Sequence, residues 1–232
     1  MVPAMSAVRA AASGGPSGAD GRPVVIVGGV AGGMSAATRL RRLDEDVEII
    51  VIERSGHVSF ANCGLPYFVG GVIEDEDDLT LQTPETLSAR FRLDVRVDTE
   101  VVAIDRAERT LSIRSTVTGE ESRLEYGTLV LSTGAAPARP PIPGYECALT
   151  LRTVEDAARM ASGVADRPAT AVIVGAGFIG LEVAENLAVQ GIDVMIFDHF
   201  KRLQRVEARI VTPNGQSAAR LTSRSRQIRW QR

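Results

Sequence analysis

One cysteine in this chain stands in a setting suited to redox chemistry. Cys63 lies in the run Val58-Ser59-Phe60-Ala61-Asn62-Cys63-Gly64-Leu65-Pro66-Tyr67. Pro66 fits the first turn of a helix, which places the thiol just ahead of a helix start. The positive end of a helix favours the thiolate, the reactive form of the side chain. The bland alternative is a buried, inert cysteine. Asn62, Gly64 and Pro66 argue for the redox role instead. Cys147 has no comparable neighbours and reads as an ordinary surface or half-buried residue.

Two glycine-rich turns supply the second kind of chemistry. Gly175-Ala176-Gly177-Phe178-Ile179-Gly180 fits the dinucleotide fingerprint at all three glycines. The first permits a tight turn, the second lets backbone approach a pyrophosphate, and the third lets helix and strand pack closely. The helix start then offers N–H groups and a positive dipole end to the phosphates. Asp198, about 20 residues on, is placed to accept hydrogen bonds from ribose hydroxyls and favours NAD over NADP. The other turn, Gly28-Gly29-Val30-Ala31-Gly32-Gly33, has valine at the middle position, and Gly32 eases the start of the helix. Glu53 stands at the matching ribose position. Two such units in one chain are what a flavin and a nicotinamide sharing one active site require.

These residues need particular elements to hold them. Val24–Val27 is a β-branched run of the buried parallel type. A helix from about Gly32 to Leu43 follows, with Ala36, Ala37, Leu40 and Leu43 as its packing face. Val47–Ile52 completes a βαβ unit. Residues 55–71 read as a loop and short helix around Cys63, and Pro84 opens another helix. Short strands with turns fill 94–125, at 95–97, 101–104 and 110–113. Thr128–Leu131 reads as a further buried strand before Ser132-Thr133-Gly134. Four prolines in 137–144 mark a connector. A second unit repeats the first, with a helix from Thr153, a strand at 171–174, a helix at 181–190 and a strand at 193–197. Beyond this point the pattern fails, and no further strand of this kind is expected in 199–232. The fold class is α/β, two tandem Rossmann-like units with a small β-meander.

Bulk properties narrow the function classes. Ordinary apolar content over 232 residues supports a sizeable core. No apolar stretch reaches 18 residues, so no membrane span is expected. Residues 1–22, rich in Ala, Gly, Ser and Pro, read as a disordered leader without a secretory core. Residues 199–232 carry nine Lys/Arg against one acid, Glu207, while the preceding 198 residues hold 17 basic and 28 acidic side chains. That switch marks a segment of different character. It lacks the aromatic interleaving of a nucleic-acid binder. Two distant cysteines do not form a secreted disulfide framework, and a cytoplasmic setting is expected. No metal-ligand spacing is present, and His57 and His199 read as ordinary polar residues.

Taken together, the glycine turns, Val27 through Arg42, Glu53, Ser59 through Tyr67, Thr99 through Asp105, Thr133-Gly134-Ala135 and Val172 through Leu187 resemble the pyridine nucleotide-disulfide oxidoreductases. Within them the run around Cys63 is most similar to the subgroup of coenzyme A-disulfide reductases, persulfide reductases and NADH oxidases. The resemblance covers about residues 23–198. It implies FAD and NAD(P)H as cofactors, with an FAD domain at 23–150, part of an NAD(P) domain at 151–198 and an atypical basic tail at 199–232. Members resembling glutathione reductase place a second cysteine five positions after the first, where this chain has Phe68. Cys63 is therefore expected to cycle with an external partner, as a mixed disulfide, persulfide or sulfenic acid.

The resemblance also implies site residues. Glu53 with Arg54, and the backbone near Val101, would hold the adenosine of FAD, and Thr133 and Gly134 would lie near the flavin nucleotide. Ser59 and Asn62 match substrate-contacting positions. Ser35, Arg39 and Arg42 share one helix face, where the arginines can pair with coenzyme A phosphates or simply be solvated. The activity implied is NAD(P)H-dependent reduction of coenzyme A disulfide or a related persulfide. An NADH oxidase or peroxidase using Cys63 sulfenic acid is the rival enzyme, and a non-catalytic fragment is the rival of another class. Relatives continue for roughly another 200 residues, as the resemblance implies, and form homodimers through a domain this sequence lacks. The basic segment is expected to be a truncated or frame-shifted end.

Overall fold

A computed structural model describes residues 21–139 and 143–197, and the backbone of 209–211, 217–220 and 227–229. In chain order the strands are β1 (Val24–Val27), β2 (Ile49–Ile52), β3 (Asp94–Arg96), β4 (Thr99–Asp105), β5 (Thr110–Ser115), β6 (Glu121–Glu125), β7 (Thr128–Leu131), β8 (Thr170–Val174), β9 (Asp193–Phe197), β10 (Arg209–Val211), β11 (Ser217–Arg220) and β12 (Gln227–Arg229). The helices are α1 (Ala31–Leu43), α2 (Leu65–Val69), α3 (Pro84–Phe91), α4 (Val154–Ala165) and α5 (Phe178–Val189). Two compact units result. The first takes the described residues up to Val58 together with Gln82–Gly134, and the second takes Ser59–Leu81 with the described residues from Ala135 onward. No described helix is long and apolar enough to cross a membrane.

The first unit is built on a parallel sheet of order β3-β2-β1-β7. Side chains alternate across a strand, and both faces of β1 and β2 are covered. Val24, Ile26, Ile49 and Val51 join Met34 and Ala37 of α1, Leu87 of α3 and Leu93 in one apolar layer. Val25, Ile50 and Ile52 join Leu111, Ile113 and Tyr126 in a second, under the antiparallel meander β4-β5-β6. This explains why β1 and β2 read as unbroken apolar runs.

Four local expectations change here. Leu43 is 66% exposed and drops out of the expected packing face of α1, while Ala37 is buried, Ala36 and Leu40 pack half-buried on the core, and Met34 and Arg41 join them inside. Thr128–Leu131 is an edge strand rather than a buried one, because among the described residues it pairs only with β1, and Leu131 is 58% exposed. The strand near Val95 extends the parallel sheet beside β2 instead of joining the meander. The meander gains β6, whose Glu-Ser-Arg-Leu-Glu sequence exposes every residue but Leu124 and so shows little apolar alternation.

In the second unit α5 links the parallel pair β8 and β9, in register from Thr170↔Asp193 to Val174↔Phe197. Val183, Ala184, Leu187, Val194 and Ile196 are buried. Residues 59–81 belong to this unit, with α2 packed on α4 and α5. The basic segment, where no further strand of the buried parallel kind is expected, forms three short antiparallel ones. β10 pairs with β11, and β12 lies antiparallel on the free edge of β9. An exposed sheet edge recruits backbone N–H and C=O groups whatever the side chains are, so apolar periodicity gave no sign of it.

Candidate functional site

In the first unit the candidate residues gather where β1, β2 and β7 end, at the carboxyl edge of the parallel sheet. Gly28 follows β1 with φ of 106°, a conformation open to glycine at little cost. A Cβ there would overlap the Ser132 carbonyl oxygen just past β7. Gly33 presses on the carbonyl oxygen of Gly28, and a Cβ would also stand 2.9 Å from that carbonyl carbon and 3.3 Å from Ile26 Cγ2. Gly29 N–H donates to Glu53 Oε2 at 2.7 Å, and Ser55 N–H donates to Glu53 Oε1 at 3.0 Å. Each carboxylate oxygen thus accepts one bond and keeps capacity for another. Val30 is the N-cap residue of α1, and Ala31 and Gly32 open the helix on the exposed side. Thr133 and Gly134 are exposed beside them in sequence.

The second unit repeats this build. Gly175 has φ of 115°, and a Cβ on Gly180 would overlap the Gly175 carbonyl oxygen and lie 3.4 Å from Ile173 Cγ2. Gly177 is the N-cap of α5, and a Cβ on it meets nothing within 4 Å. The chain's own packing therefore does not demand glycine there. Phe178 is 90% exposed and Ile179 is also exposed. Asp198, expected at the ribose position, lies outside the described residues.

Apart from the five-residue α2, which has no side-chain cap, helix starts divide into two kinds. Thr83 caps α3 and Thr153 caps α4, each in a reciprocal capping box, with acids in the first turn. Neither α1 nor α5 has a side-chain cap or an acid in its first turn. Both glycine turns thus leave N–H groups and a positive dipole end free for an anion. The open space over Gly177 and the spare capacity of Glu53 fit nucleotides bound by their pyrophosphate and ribose groups.

The thiol segment is pinned from one side. Ala61 N–H donates to the Leu79 carbonyl (2.8 Å), Leu81 N–H to the Ser59 carbonyl (3.0 Å), and Phe60 pairs with Thr80. Ser59 has φ of 50°, an uncommon conformation for a residue other than glycine. A single 3-10 turn, Asn62–Gly64, carries Cys63 directly into α2. Gly64 lies on an apolar floor, where a Cβ would stand 2.9 Å from Leu79 Cδ2 and 3.2 Å from Ile73 Cδ1. Leu65, Pro66 and Val69 are buried, while Asn62, Cys63 and Tyr67 are exposed. Cys63 is therefore not the buried cysteine of the bland alternative. Both Cys63 and Cys147 are free thiols, and Phe68 stands in the turn after Cys63.

Other candidates fall where the sequence puts them but differ in setting. Ser35, Arg39 and Arg42 are exposed on α1. Arg54 is 3.9 Å from Glu100, which also holds Arg114 at 2.7 Å. Val101 sits in β4 opposite Ile113, beside a register shift before Ala103. Sequence reasoning missed Arg41. It is 9% exposed and donates from Nε to Phe91 O (2.8 Å), from Nη1 to Glu45 O (2.7 Å) and Asp44 O (3.3 Å), and from Nη2 to Arg92 O (3.1 Å). Burial, and then the charge of Arg92, hold its guanidinium below the ordinary arginine value. Asn186 was also missed, although a polar residue on the apolar face of Val183, Ala184 and Leu187 was a signal in plain view.

Comparison with known proteins identifies the family. Residues 22–219 match the family model described as pyridine nucleotide-disulphide oxidoreductase, past Asp198 where the sequence resemblance stopped. A curated coenzyme A disulfide reductase from Staphylococcus haemolyticus is 35% identical over 188 residues, covering 80% of this chain and 42% of that protein. The crystal structure of reduced Bacillus anthracis CoADR-RHD is similar with a TM-score of 0.74 at 49% identity, over 76% of this chain and 32% of that one. A NAD-dependent persulfide reductase from A. fulgidus gives 0.73 at 39% identity, over 78% of this chain and 34% of that one. The chain spans about two fifths of the length of the curated relative. Its fold is the Rossmann-type α/β architecture of these oxidoreductases. With the match running across both glycine turns and the thiol segment between them, the chain belongs to the pyridine nucleotide-disulphide oxidoreductase family.

Proposed function

We propose that the chain serves the NAD(P)H-dependent reduction of a disulfide of the coenzyme A type, with Cys63 as its single redox thiol. The observation that carries the reading is the exposure of Cys63 on a pinned turn, in a chain with two uncapped glycine turns. Residues 23–150 would contribute the FAD contacts, through the turn Gly28–Gly33, Glu53 and the backbone of Thr133 and Gly134. Residues 151–198 would hold the nicotinamide nucleotide, through Gly175, Gly177, Gly180 and Asp198. When bound, FAD supplies the two-electron relay between nicotinamide and sulfur.

The residues of the chain account for the sulfur chemistry. The Cys63 thiolate attacks one sulfur of the external disulfide. A bond from Cys63 to that sulfur forms, the substrate S–S bond breaks, and one thiolate leaves. Two electrons drawn from NAD(P)H, with one proton, then restore the Cys63 thiolate and release the second thiol. Ser59 and Asn62 flank the attacked sulfur, and Arg39 and Arg42 offer guanidinium groups to substrate phosphates, with Ser35 on the same face. A thiol that must return to its reduced form suits a reducing compartment such as the cytoplasm.

The test is direct. Purified chain is assayed for a yellow flavin spectrum near one equivalent, and then for NADH consumption with coenzyme A disulfide, oxygen or peroxide as acceptor. Disulfide turnover that vanishes in Cys63→Ser supports the reading. Turnover with oxygen or peroxide alone points to the sulfenic acid rival. Colourless protein without turnover points to a non-catalytic chain. Disulfide turnover that survives Cys63→Ser refutes the thiol mechanism.

A further inference from the structure

The far end of the thiol helix makes a contact that the mechanism above does not use. Gly70 caps α2 in ordinary right-handed backbone (φ −81°, ψ −2°), which alanine adopts freely. Its space does not admit alanine. A Cβ on Gly70 would stand 2.5 Å from Asn186 Cβ and 2.7 Å from Asn186 Cγ, and would overlap Oδ1. The Gly70 carbonyl, one of the orphan acceptors at a helix end, accepts from Gln190 Nε2. Gly71 closes on the same nitrogen, with a Cβ position 3.0 Å away.

Asn186 is 7% exposed and donates from Nδ2 to the Glu182 carbonyl at 2.8 Å, so its amide is fixed. Asn186 and Gln190 are one turn apart and share a face of α5. Burying an amide on an apolar helix face carries a desolvation cost that alanine would avoid. The contact therefore asks for a purpose beyond packing. α2 is five residues long, about 7.5 Å at 1.5 Å per residue. Cys63 lies at its opposite end, so a displacement at Gly70 reaches the thiol along a short rigid rod.

We propose that Asn186 and Gln190 are positioning residues that grip the C-terminal end of the thiol helix at Gly70, fixing the Cys63 turn against the helix that opens at Gly175–Gly180. The proposal rests on the thiol reading for its effect on turnover, and on geometry alone for its effect on the turn. The two are tested together in the full chain. Gly70→Ala should speed amide hydrogen exchange over residues 62–69. It should also lower the turnover number with coenzyme A disulfide on the order of 10²-fold, since a displacement of about 1 Å at a reacting group costs that much. KM for NADH should not move.

Adding Asn186→Gly removes all three atoms that the new Cβ meets, lets the new methyl take the vacated space and leaves Gln190 on the carbonyl at position 70, so it should restore both exchange and turnover in large part. Adding Asn186→Ala keeps the Cβ and should not. Gln190→Ala, a milder change, should speed exchange at Gly70 and Gly71. Unchanged exchange in both Gly70→Ala and Gln190→Ala overturns the proposal. So does failure of Asn186→Gly to rescue, or a rise in KM for NADH in step with the fall in turnover. If Cys63→Ser keeps its turnover, the thiol reading fails, and the exchange and rescue results alone decide the grip.

Discussion

Gly177 and Gly180 belong to one turn yet should respond differently to the same substitution. A Cβ on Gly180 would overlap the Gly175 carbonyl oxygen and come to 3.2 Å from its carbon. Forcing an extra methyl into such a contact costs about 1–3 kcal/mol. Alanine regains about 1 kcal/mol of helix propensity, so Gly180→Ala should lose up to roughly 2 kcal/mol of stability. A Cβ on Gly177 meets nothing within 4 Å, and its backbone at φ −75° and ψ 177° admits alanine. Restricting the unfolded chain there gains about 0.4–1 kcal/mol. Alanine is a poorer N-cap than glycine, and these effects roughly cancel. Stability of Gly177→Ala should therefore stay within about 0.5 kcal/mol of the parent. Nucleotide affinity should not stay. If a pyrophosphate seats on this turn, the added Cβ displaces one charge-assisted backbone hydrogen bond, worth about 1.5–3 kcal/mol. That is roughly 10- to 100-fold in Kd for NADH. Urea unfolding and calorimetric titration with NADH measure the two quantities separately. Unaltered NADH affinity in Gly177→Ala would sink the assignment of this turn to the nicotinamide nucleotide.

Further outcomes follow from other contacts. Arg41→Met removes the Arg41 donors to four carbonyls, of which Glu45 O keeps Arg92 Nη2, and should cost about 3 kcal/mol in urea unfolding, with no effect on thiol content. Glu53→Gln replaces one acceptor oxygen of the carboxylate that holds Gly29 and Ser55. It should lower the flavin-to-protein absorbance ratio on purification while leaving Cys63 titratable by a thiol reagent. The Glu85 carboxyl is held below its ordinary value of 4.5, first by the Thr83 side chain and then by its own backbone N–H. Its folded value lies below the unfolded one. Its contribution to stability is therefore present above 4.5 and fades as pH falls through the lowered value. Thr83→Ala should flatten that acid-side slope in Tm, and an unchanged slope would contradict the assignment.

Legibility in the sequence tracked how local each signal is. β1, β2 and the two glycine turns were readable because apolar runs and glycine spacing are properties of neighbouring residues. Edge status was not, since whether Leu131 is buried depends on what lies beyond β7. β6 was hidden by Glu121, Arg123 and Glu125, which face outward and dilute the apolar pattern to Leu124. Arg41 was invisible for a different reason. Its inward position is stabilised by carbonyls of Phe91 and Arg92, some 50 residues away. The exposure of Cys63 followed from its neighbours, whereas the ladder from Ser59–Ala61 to Leu79–Leu81 that pins it involves pairing across an acidic stretch with no strand signature.

The absence of caps on α1 and α5 reads as a functional trait when set beside α3 and α4. A side-chain cap is worth about 1 kcal/mol, and Thr83 and Thr153 supply one to α3 and α4, the other two helices longer than the five residues of α2. Val30 and Gly177 forgo that stabilisation at the two places where a strand runs straight into a helix through a tight glycine turn. An acid in the first turn would add stability to the empty chain and would also repel a phosphate. Both first turns lack one. Under the proposed reading a bound pyrophosphate would supply the missing negative charge at each end, and the stability forgone in the empty chain would be recovered on binding. The chain should accordingly gain more in Tm from nucleotide than a capped counterpart would, and Gly177→Ser, which restores a cap, should narrow that gain.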